Sequence, residues 1–201
     1  MSDVSHREKK LAIAVMEQSF DGNPAVHYSI GNTQSPFYIA RRKALASFMY
    51  RFCKRRNGVF ISPNENGVIC FYHSSAKGSF IYDFFDEIKL ALFAVGPIRL
   101  FPVVFRANAV SRIRKRQGEH LHCWYLGVRE GSRDFKTAAW LRDTLYEKAH
   151  ELNLPVCAET TMLQNKKVYE RMGFITYEQV KSFGLITYCM IYFPTQFKKT
   201  T

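Results

Sequence analysis

The second half of the chain alternates strand and helix patterns, and this alternation constrains the fold more than any other feature. The predicted order there is strand 120–128, helix 134–153, strand 155–160, helix 164–172, strand 174–178 and strand 185–193. The helices rest on apolar residues at helical spacing, and the strands on short apolar runs bounded by turn residues. Because alternating elements of this kind build one sheet with helices packed on it, we expect an α/β or α+β fold with a mixed sheet.

The first half predicts mostly helices and one hairpin. The predicted elements are helix 11–20, helix 36–56, strand 59–62, strand 68–72, helix 80–95 and helix 97–117. Residues 63–67, Pro-Asn-Glu-Asn-Gly, separate the two strands and are typical of a hairpin turn. No segment has the composition of a flexible linker, so residues 1–201 are expected to form one domain.

Positive charge dominates the composition. The chain has 29 lysines and arginines against 17 aspartates and glutamates, which gives a net charge of +12. Three basic clusters, at 41–43, 54–56 and 112–116, lie on or at the end of predicted helices, where the helix dipole favours cations near the C-terminus. Solvated helix faces explain most of them. An anionic cofactor or acidic substrate is the second explanation, and nucleic acid, for which no recognisable motif is present, is the third.

Other features argue against export and against a membrane span. No apolar run reaches the roughly 18 residues that a span needs, and residues 1–10 are polar, unlike a signal peptide. The cytoplasm is therefore the expected location, and no membrane partner is expected. The 5 cysteines are odd in number, form no CxxC pair and have apolar or aromatic neighbours, so we expect buried free thiols.

A candidate anion site is formed by the strand at 120–128, the loop at 129–132 and the helix that follows. The first turn of a helix offers amide groups without intrahelical partners and the positive end of the helix dipole. A pyrophosphate is well satisfied there. Many α/β units have this arrangement, so the pattern alone does not identify the ligand.

A block near the C-terminus is more specific. A strand ends in Ala158-Glu159-Thr160-Thr161, Asn165 opens a short helix that carries Tyr169, and Glu170-Arg171-Met172-Gly173-Phe174 leads into the next strand. This block resembles the last conserved block of the GNAT superfamily of acyl-CoA-dependent N-acetyltransferases. Together with Thr187-Tyr188-Cys189-Met190 on the final strand, it is most similar to the puromycin N-acetyltransferase branch.

The resemblance covers residues 119–192, the expected acetyl-CoA-binding half, and leaves 1–118 as the variable half that chooses the substrate. It implies a GNAT-like fold, a twisted mixed sheet flanked by helices and splayed between the strands 120–128 and 155–160, with acetyl-CoA in the splay. It further implies that Tyr169 gives a proton to the departing thiolate and that Asn165 contacts the pantetheine arm. The implied backbone contacts are Leu126, Gly127 and Val128 for pantetheine and oxyanion, and Arg133, Asp134, Phe135, Lys136, Thr137 and Ala138 for the pyrophosphate.

One residue departs from the superfamily's phosphate-binding pattern, which reads Arg or Gln, two residues, Gly, one residue, then Gly or Ala. Arg133 matches the first position and Ala138 the last, but Lys136 stands in place of the middle glycine. A glycine lets the backbone approach the phosphates without a side chain in the way. A lysine either points outward and adds a cation or crowds the site, and the sequence leaves both open.

Acetyl transfer to an amine needs a proton acceptor, because an amine with a pKa near 10 is almost fully protonated at pH 7. Glu159 lies in an apolar strand, where an unpaired carboxylate is costly, so it is either salt-bridged or that acceptor. His120 stands eight residues before Val128, where the puromycin branch often has a histidine, and is the second candidate. His120, His122 and Cys123 also suggest a metal site, but no fourth ligand stands at the usual spacing, so we expect core or cleft histidines and no metal.

The predicted function is direct acetyl transfer from acetyl-CoA to a primary amine of an unidentified small molecule, without a covalent enzyme intermediate. One alternative is a GNAT-like module that has lost activity and serves in binding or sensing. The other, less favoured, is a basic nucleic-acid-associated protein. The oligomeric state is left open, a homodimer included. Seven aromatic residues are expected mostly in the core, some of them alternatively in an apolar substrate pocket: Phe80, Tyr82, Phe84, Phe85, Phe93, Phe101 and Phe105.

Overall fold

The computed structural model describes residues 3–31, 33–132 and 135–194, and these ranges contain seven α-helices, one π-helical turn and six strands. The helices are α1 (Asp3–Phe20), α2 (Pro24–Ile30), α3 (Tyr38–Lys54), α4 (Phe80–Lys89), α5 (Pro97–Lys115), α6 (Phe135–Leu152) and α7 (Leu163–Arg171). A π-helical turn (Leu90–Val95) joins α4 to α5. The strands are β1 (Val59–Ile61), β2 (Gly67–His73), β3 (Leu121–Val128), β4 (Val156–Thr160), β5 (Ile175–Ser182) and β6 (Leu185–Tyr192).

One mixed sheet contains all six strands, in the order β1-β2-β3-β4-β6-β5. Every neighbouring pair is antiparallel except β3 and β4, the two central strands, which run parallel. A parallel pair needs a crossover, and α6 supplies it between them. The mixed sheet flanked by helices agrees with the fold class that the sequence predicts.

Helices cover both faces of this sheet, as the side chains along β2 show by alternating between two apolar clusters. Val68 and Cys70 pack in the cluster that includes α1, α2 and α3, whereas Ile69 and Phe71 pack in the cluster that includes α6. This period of two is what a strand buried on both faces requires. All five cysteines are buried free thiols, as predicted.

The segment after Asp21 contains a helix that the sequence analysis does not predict. The side chain of Asn23 accepts hydrogen bonds from the amides of Ala25 and Val26, and Pro24 occupies the first turn of α2. Asparagine at the N-cap and proline just after it are typical helix-start residues. The sequence analysis predicts no helix between residues 20 and 36, so it misses this start signal.

The helix α4 is oriented with its apolar face toward solvent. Its acidic side chains face α3 instead: Asp83 pairs with Arg55 and Arg56, and Asp86 pairs with Arg51 and Arg55. The expectation of a mostly buried aromatic set is therefore wrong, since all seven of the aromatic side chains from Phe80 to Phe105 named above are exposed. Within the described ranges, no helix has both the length and the apolar character that crossing a bilayer would require.

Candidate active site

A cavity of about 430 Å³ opens where the two central strands separate. The ladder between β3 and β4 joins only three residue pairs, from Leu121 with Val156 to Cys123 with Ala158. Beyond that point β3 continues beside β2 and β4 continues beside β6, so a gap opens between them. The lining residues come from α1, α2, α3 and α5 as well as from the strands and α7. The splay that the sequence predicts is therefore present.

A β-bulge in β3 sets which backbone groups face this gap. On β2, Cys70 pairs with Tyr125 and the next residue, Phe71, pairs with Cys123, so Trp124 is an extra residue on β3. Before the bulge, the amide of Leu121 points toward β4 and donates to the carbonyl of Pro155 at 2.8 Å. An extra residue reverses the direction of every backbone group that follows it.

The amides of Leu126 and Val128 consequently face the gap. Arg129 donates its amide to the carbonyl of Asn66 at 2.7 Å and so faces β2. Because hydrogen-bonding groups alternate along a strand, the amides one and three residues earlier face the opposite side. Between Leu126 and Val128, Gly127 faces β2 and lies under the ring of Tyr125, whose hydroxyl oxygen would be 2.1 Å from a Cβ at that position.

The loop after β3 leads to the start of α6. Arg133 and Asp134, two of the predicted pyrophosphate contacts, lie outside the described residues. Phe135, Lys136 and Ala138 are exposed on the first turn of the helix. The side chain of Lys136 therefore lies at the surface and not in the packed interface beneath the turn.

The first turn of α6 is fixed by the β1–β2 hairpin. Thr137 is buried there and accepts a hydrogen bond from Nδ2 of Asn64 at 2.7 Å. A Cβ on Gly67 would lie 2.6 Å from Cγ2 of Thr137, so the helix approaches β2 more closely than a side chain at 67 permits. The orientation of this helix start relative to β3 therefore depends on Gly67.

Tyr169 and Asn165 both line the cavity from α7. Tyr169 is half-buried, and its ring packs edge-on against Phe174 with 5.2 Å between ring centroids. Burial, followed by the nearby Cys123 thiol and Glu159 carboxylate, raises the pKa of the Tyr169 phenol further above the neutral range. Asn165 is exposed, one turn of helix before Tyr169.

The predicted acceptor Glu159 lies in a buried charged cluster at the cavity wall. Its carboxylate accepts a hydrogen bond from Nη1 of Arg114 at 2.7 Å and lies 2.7 Å from Nε2 of His122. On its other side, Nδ1 of His122 lies 2.7 Å from the hydroxyl of Tyr72. All four side chains line the cavity. The salt-bridged alternative for Glu159 is therefore realised, in contact with a histidine.

Electrostatics fix the protonation of this cluster. Burial alone would raise the pKa of Glu159, but His122 and Arg114 outweigh it and hold that pKa at about 2. Burial lowers the pKa of His122, so its imidazole is neutral at pH 7. Since a carboxylate only accepts, the neutral ring carries its proton on Nε2 toward Glu159 and accepts from Tyr72 at Nδ1.

The other histidine candidate, His120, is buried at the start of β3 and its Nδ1 lies 2.7 Å from the carbonyl of Gly118. Among the described residues that line the cavity, His122 is present and His120 is not. A strand alternates its side chains, but residues two apart share a face, so the sequence could not separate these two histidines. The structure distinguishes them, because His122 lies two residues closer than His120 to the point where β3 and β4 separate.

Three cavity residues of this site were missed by sequence reasoning: Tyr72, Arg106 and Arg114. The two arginines lie on α5, eight residues apart, with Val110 between them, and this spacing places them on one helix face. That periodicity was the available signal. It was hidden because Arg114 belongs to the basic run 112–116, which was interpreted as a solvated face. Tyr72 gave no sequence signal.

Comparison with known proteins supports the fold. No protein-family profile matches the chain, and no curated protein sequence matches it. A Corynebacterium glutamicum structure described as histone acetyltransferase HPA2 and related acetyltransferase matches with a TM-score of 0.62 at 14% identity, covering 100% of this chain and 96% of that one. Arylalkylamine N-acetyltransferase 2 of Aedes aegypti matches with a TM-score of 0.62 at 14% identity, covering 94% and 95%.

A third structure, the polyamine N-acetyltransferase of Drosophila melanogaster, matches with a TM-score of 0.58 at 17% identity, covering 96% of this chain and 97% of that one. These likenesses extend over nearly the whole of both chains, including the half in which the sequence shows no resemblance. The closer similarity to the puromycin branch stays a prediction. The chain has the fold of the GNAT N-acetyltransferases.

Proposed function

We propose that this protein is an acyl-CoA-dependent N-acetyltransferase, which transfers the acetyl group of acetyl-CoA to a small primary amine. The observation that carries the proposal is the gap between β3 and β4. The bulge at Trp124 turns the amides of Leu126 and Val128 toward this gap, and Tyr169 lines the same cavity. An extended amide-rich arm can pair with such an exposed strand edge as an added strand would. The thioester would then lie at the cavity.

The cation distribution fits an anionic co-substrate at this edge. Arg129 follows β3 directly, and its side chain lies with Arg7 and Lys10 of α1 around a surface cavity, so the end of β3 is rich in cations. The amides at the first turn of α6, which have no partner within the helix, offer donors for a pyrophosphate. The exposed side chain of Lys136 favours the outward alternative, in which the lysine adds a cation without crowding the phosphates.

Proton transfer in this proposal runs through Tyr72 and His122. The substrate ammonium gives a proton to the Tyr72 oxygen as the Tyr72 hydroxyl proton passes to Nδ1 of His122. The resulting imidazolium is stabilised by Glu159, which stays ionised because its pKa is about 2. In this scheme Glu159 is a stabilising partner and His122 is the base.

The neutral amine then attacks the thioester carbonyl. A C–N bond forms, the oxyanion is stabilised by a gap-facing amide of β3, and the C–S bond breaks as the carbonyl re-forms. The departing sulfur takes the proton of Tyr169, and the extra proton on the amide nitrogen returns to the Tyr169 oxygen. His122 then releases its proton to solvent through Tyr72, so that every group of the enzyme regains its starting state. No covalent enzyme intermediate is needed.

The test is a calorimetric titration with acetyl-CoA, followed by a thiol-release assay on a panel of primary amines. We expect saturable binding with one site and CoA release with at least one amine. Absence of binding up to millimolar acetyl-CoA would refute the proposal. Binding without turnover on a broad amine panel would favour the silent binding or sensing module instead.

A further inference from the structure

One cation in the cavity wall, Arg106, lacks within the described ranges a carboxylate partner of the kind that Arg114 has in Glu159. Arg106 lines the cavity, and one of its Nη atoms donates to Oγ1 of Thr187 at 2.8 Å. Its Nε is buried without a hydrogen-bond partner, and among the described residues no carboxylate lies within ion-pair distance. By contrast, Arg114 on the same helix face pairs with Glu159.

A half-buried guanidinium without a counter-ion is costly, because the charge loses water and gains no anion. Burial accordingly lowers the pKa of Arg106 from its ordinary value. Because Arg106 lines the cavity, an anion bound there can supply the missing counter-charge. A carboxylate fits this role, since it is the planar anion that a guanidinium fork binds best.

The position of Arg106 relates this site to the reacting groups. Its partner Thr187 lies on β6, two residues from Cys189, which pairs with Glu159 on β4. At roughly 3.4 Å per residue, the Arg106 contact lies about 7 Å along the sheet from Glu159. Because Glu159 contacts His122 directly, a small molecule can present its amine on the His122 side of the cavity and its carboxylate to Arg106.

We propose that the amine acceptor is an amino carboxylic acid whose carboxylate binds Arg106 while its amine lies beside Tyr72 and His122. This inference rests on the proposed acetyltransferase function for the location of the amine, but the carboxylate contact can be measured on its own. A carboxylate site at Arg106 excludes polyamines and other acceptors with a second cation at that end of the cavity. The second cation would lie beside the Arg106 guanidinium in a partly desolvated space, and the two would repel each other.

The test uses a series of straight-chain ω-amino acids from glycine to 6-aminohexanoate and alkylamines of equal length. Calorimetry on the CoA-loaded protein gives affinity, and acetyl-CoA turnover gives kcat/KM. We expect at least one chain length at which the amino acid binds, and is acetylated, at least about tenfold better than its alkylamine, as a charge-assisted pair predicts. Arg106→Gln should abolish that preference, and Arg106→Lys should retain part of it.

The matched control is Arg112→Gln, an exposed arginine on the same helix, which should leave the preference unchanged. Equal affinity for amino acids and alkylamines at every length would overturn the inference, as would a preference that survives in Arg106→Gln. If amino acids bind through Arg106 but no member of either series is acetylated, the carboxylate site stands and the proposed function fails. The two claims are therefore separable.

A second feature, independent of the cavity, is the outward apolar face of α4. Its residues Phe80, Ile81, Phe84, Phe85 and Ile88 recur at helical spacing, and each is exposed. The rings of Phe80 and Phe84 stack on one another with 6.4 Å between centroids. Because the acidic side of α4 is held by Arg51 of α3 and by Arg55 and Arg56 directly after it, this face cannot turn inward without breaking those ion pairs.

Charge around this face decides which partner it fits. The exposed Lys77 and Lys89 stand before and at the end of α4. The acidic Asp83 and Asp86 are neutralised by their arginines. A second copy of a chain with a net charge of +12 would repel this rim, whereas an anionic surface would attract it.

The structure assigns the α4 face to peripheral binding of a membrane that carries acidic lipids. Aromatic side chains with flanking cations are the pattern of helices that lie in the membrane interface without crossing it. This departs from the expectation of no membrane partner, which rested only on the lack of a spanning segment. The exposed Glu87 is a carboxylate that the lipid phosphates would have to tolerate.

The test is co-sedimentation of the full chain with vesicles of phosphatidylcholine alone or with phosphatidylserine. We expect binding only to the acidic vesicles, weakened by salt, and a loss of at least about tenfold in the double variant Phe80→Ser and Phe84→Ser. The control, Ile175→Ser, changes an exposed apolar residue on β5 and should bind as the unchanged chain does. No binding to acidic vesicles would overturn the assignment. So would a dimer in sedimentation that the double variant dissociates, since a second copy would then cover the face.

Discussion

The surroundings of the cavity side chains shift their pKa values away from the ordinary ones. Burial raises the pKa of the Tyr169 phenol above its ordinary value of 10, so this side chain is protonated throughout the neutral range. His122 stays neutral because it is buried, and Glu159 stays ionised because Arg114 and His122 contact it. A proton donor and a proton acceptor therefore coexist in one cavity at neutral pH.

Replacing Tyr169 with phenylalanine should lower kcat at least about tenfold, because general acid catalysis contributes roughly 10²–10⁴-fold when present. The change removes one hydroxyl and keeps the ring contact with Phe174, so acetyl-CoA affinity should stay within about twofold. Steady-state kinetics and calorimetry measure the two quantities. Equal turnover in the variant would remove Tyr169 from the mechanism.

His122 on β3 and His120 directly before this strand should differ in their effect on the pH profile. If neutral His122 is the base, kcat/KM falls as the pH drops through its pKa, which burial holds below 6.5. His122→Gln should lose this acidic limb, whereas His120→Gln should keep it. The pH dependence of kcat/KM for both variants is the measurement, and the opposite pattern would assign the base to His120, as the sequence resemblance implied.

Sequence reasoning could find the residues of this site that belong to a contiguous motif. Asn165, Tyr169 and Glu159 stand close together in the chain, and all three line the cavity. Tyr72, Arg106 and Arg114 reach it from β2 and α5, which tertiary packing alone brings there. The preference for His120 over His122 illustrates the same limit, because strand geometry at the gap is not visible in local spacing.

At the scale of elements, the hairpin β1–β2 and the helix α6 act as one unit. Asn64 in the hairpin turn bonds Thr137 in the first turn of the helix, and Gly67 lets the two backbones approach. The start of α6 is the proposed pyrophosphate site. Its position is therefore set by residues of the half that shows no sequence resemblance.

A methyl group at position 67 should disturb this unit. Gly67→Ala would place a Cβ 2.6 Å from Cγ2 of Thr137, and overpacking of this kind costs roughly 1–3 kcal/mol. We expect a lower free energy of unfolding in urea and weaker acetyl-CoA binding by calorimetry. Adding Thr137→Ser, which removes Cγ2 and keeps the hydroxyl, should recover part of both losses. No recovery would show that the damage lies elsewhere.

At the scale of the whole molecule, the second half of the chain was predicted well and the first half less well. Strands β3, β4 and β6 and helix α6 lie where periodicity placed them, because buried elements with two apolar neighbours have clear patterns. The helix α2 and the exposed face of α4 were missed or misplaced. Ion pairs across 27 or more residues decide how α4 packs, and no local pattern reports them. That residues 1–201 form one domain and reside in the cytoplasm stay predictions.

Acid stability is a property of the whole fold that Glu159 should control. Its pKa falls from an ordinary 4.5 to about 2 in the folded chain. A carboxyl lowered this far contributes about 3 kcal/mol of stability above pH 4.5, and that contribution is lost as the pH falls from 4.5 toward 2.

Urea unfolding across this pH range should show the effect. Asp83 and Asp86 have lowered pKa values as well, so the unchanged chain loses stability from several groups. Comparison with Glu159→Gln removes the contributions of Asp83 and Asp86 and leaves those of Glu159 and its two partners: the variant should be destabilised at pH 6 by roughly 3–5 kcal/mol, since Arg114 and His122 lose their buried partner. The difference in free energy of unfolding between the two chains should shrink as the pH approaches 2. A difference that stays constant would contradict the assigned pKa of Glu159.

The proposed chemistry depends on the extra residue in β3, because that residue sets which backbone amides face the gap. Deleting Trp124 would leave every remaining side chain of the site in the protein, yet Tyr125 and Gly127 would exchange backbone orientation with Leu126 and Val128. Point substitutions cannot produce that exchange. Side-chain substitutions can change the activity gradually, whereas deletion of this one codon would turn the amides of Leu126 and Val128 away from the gap.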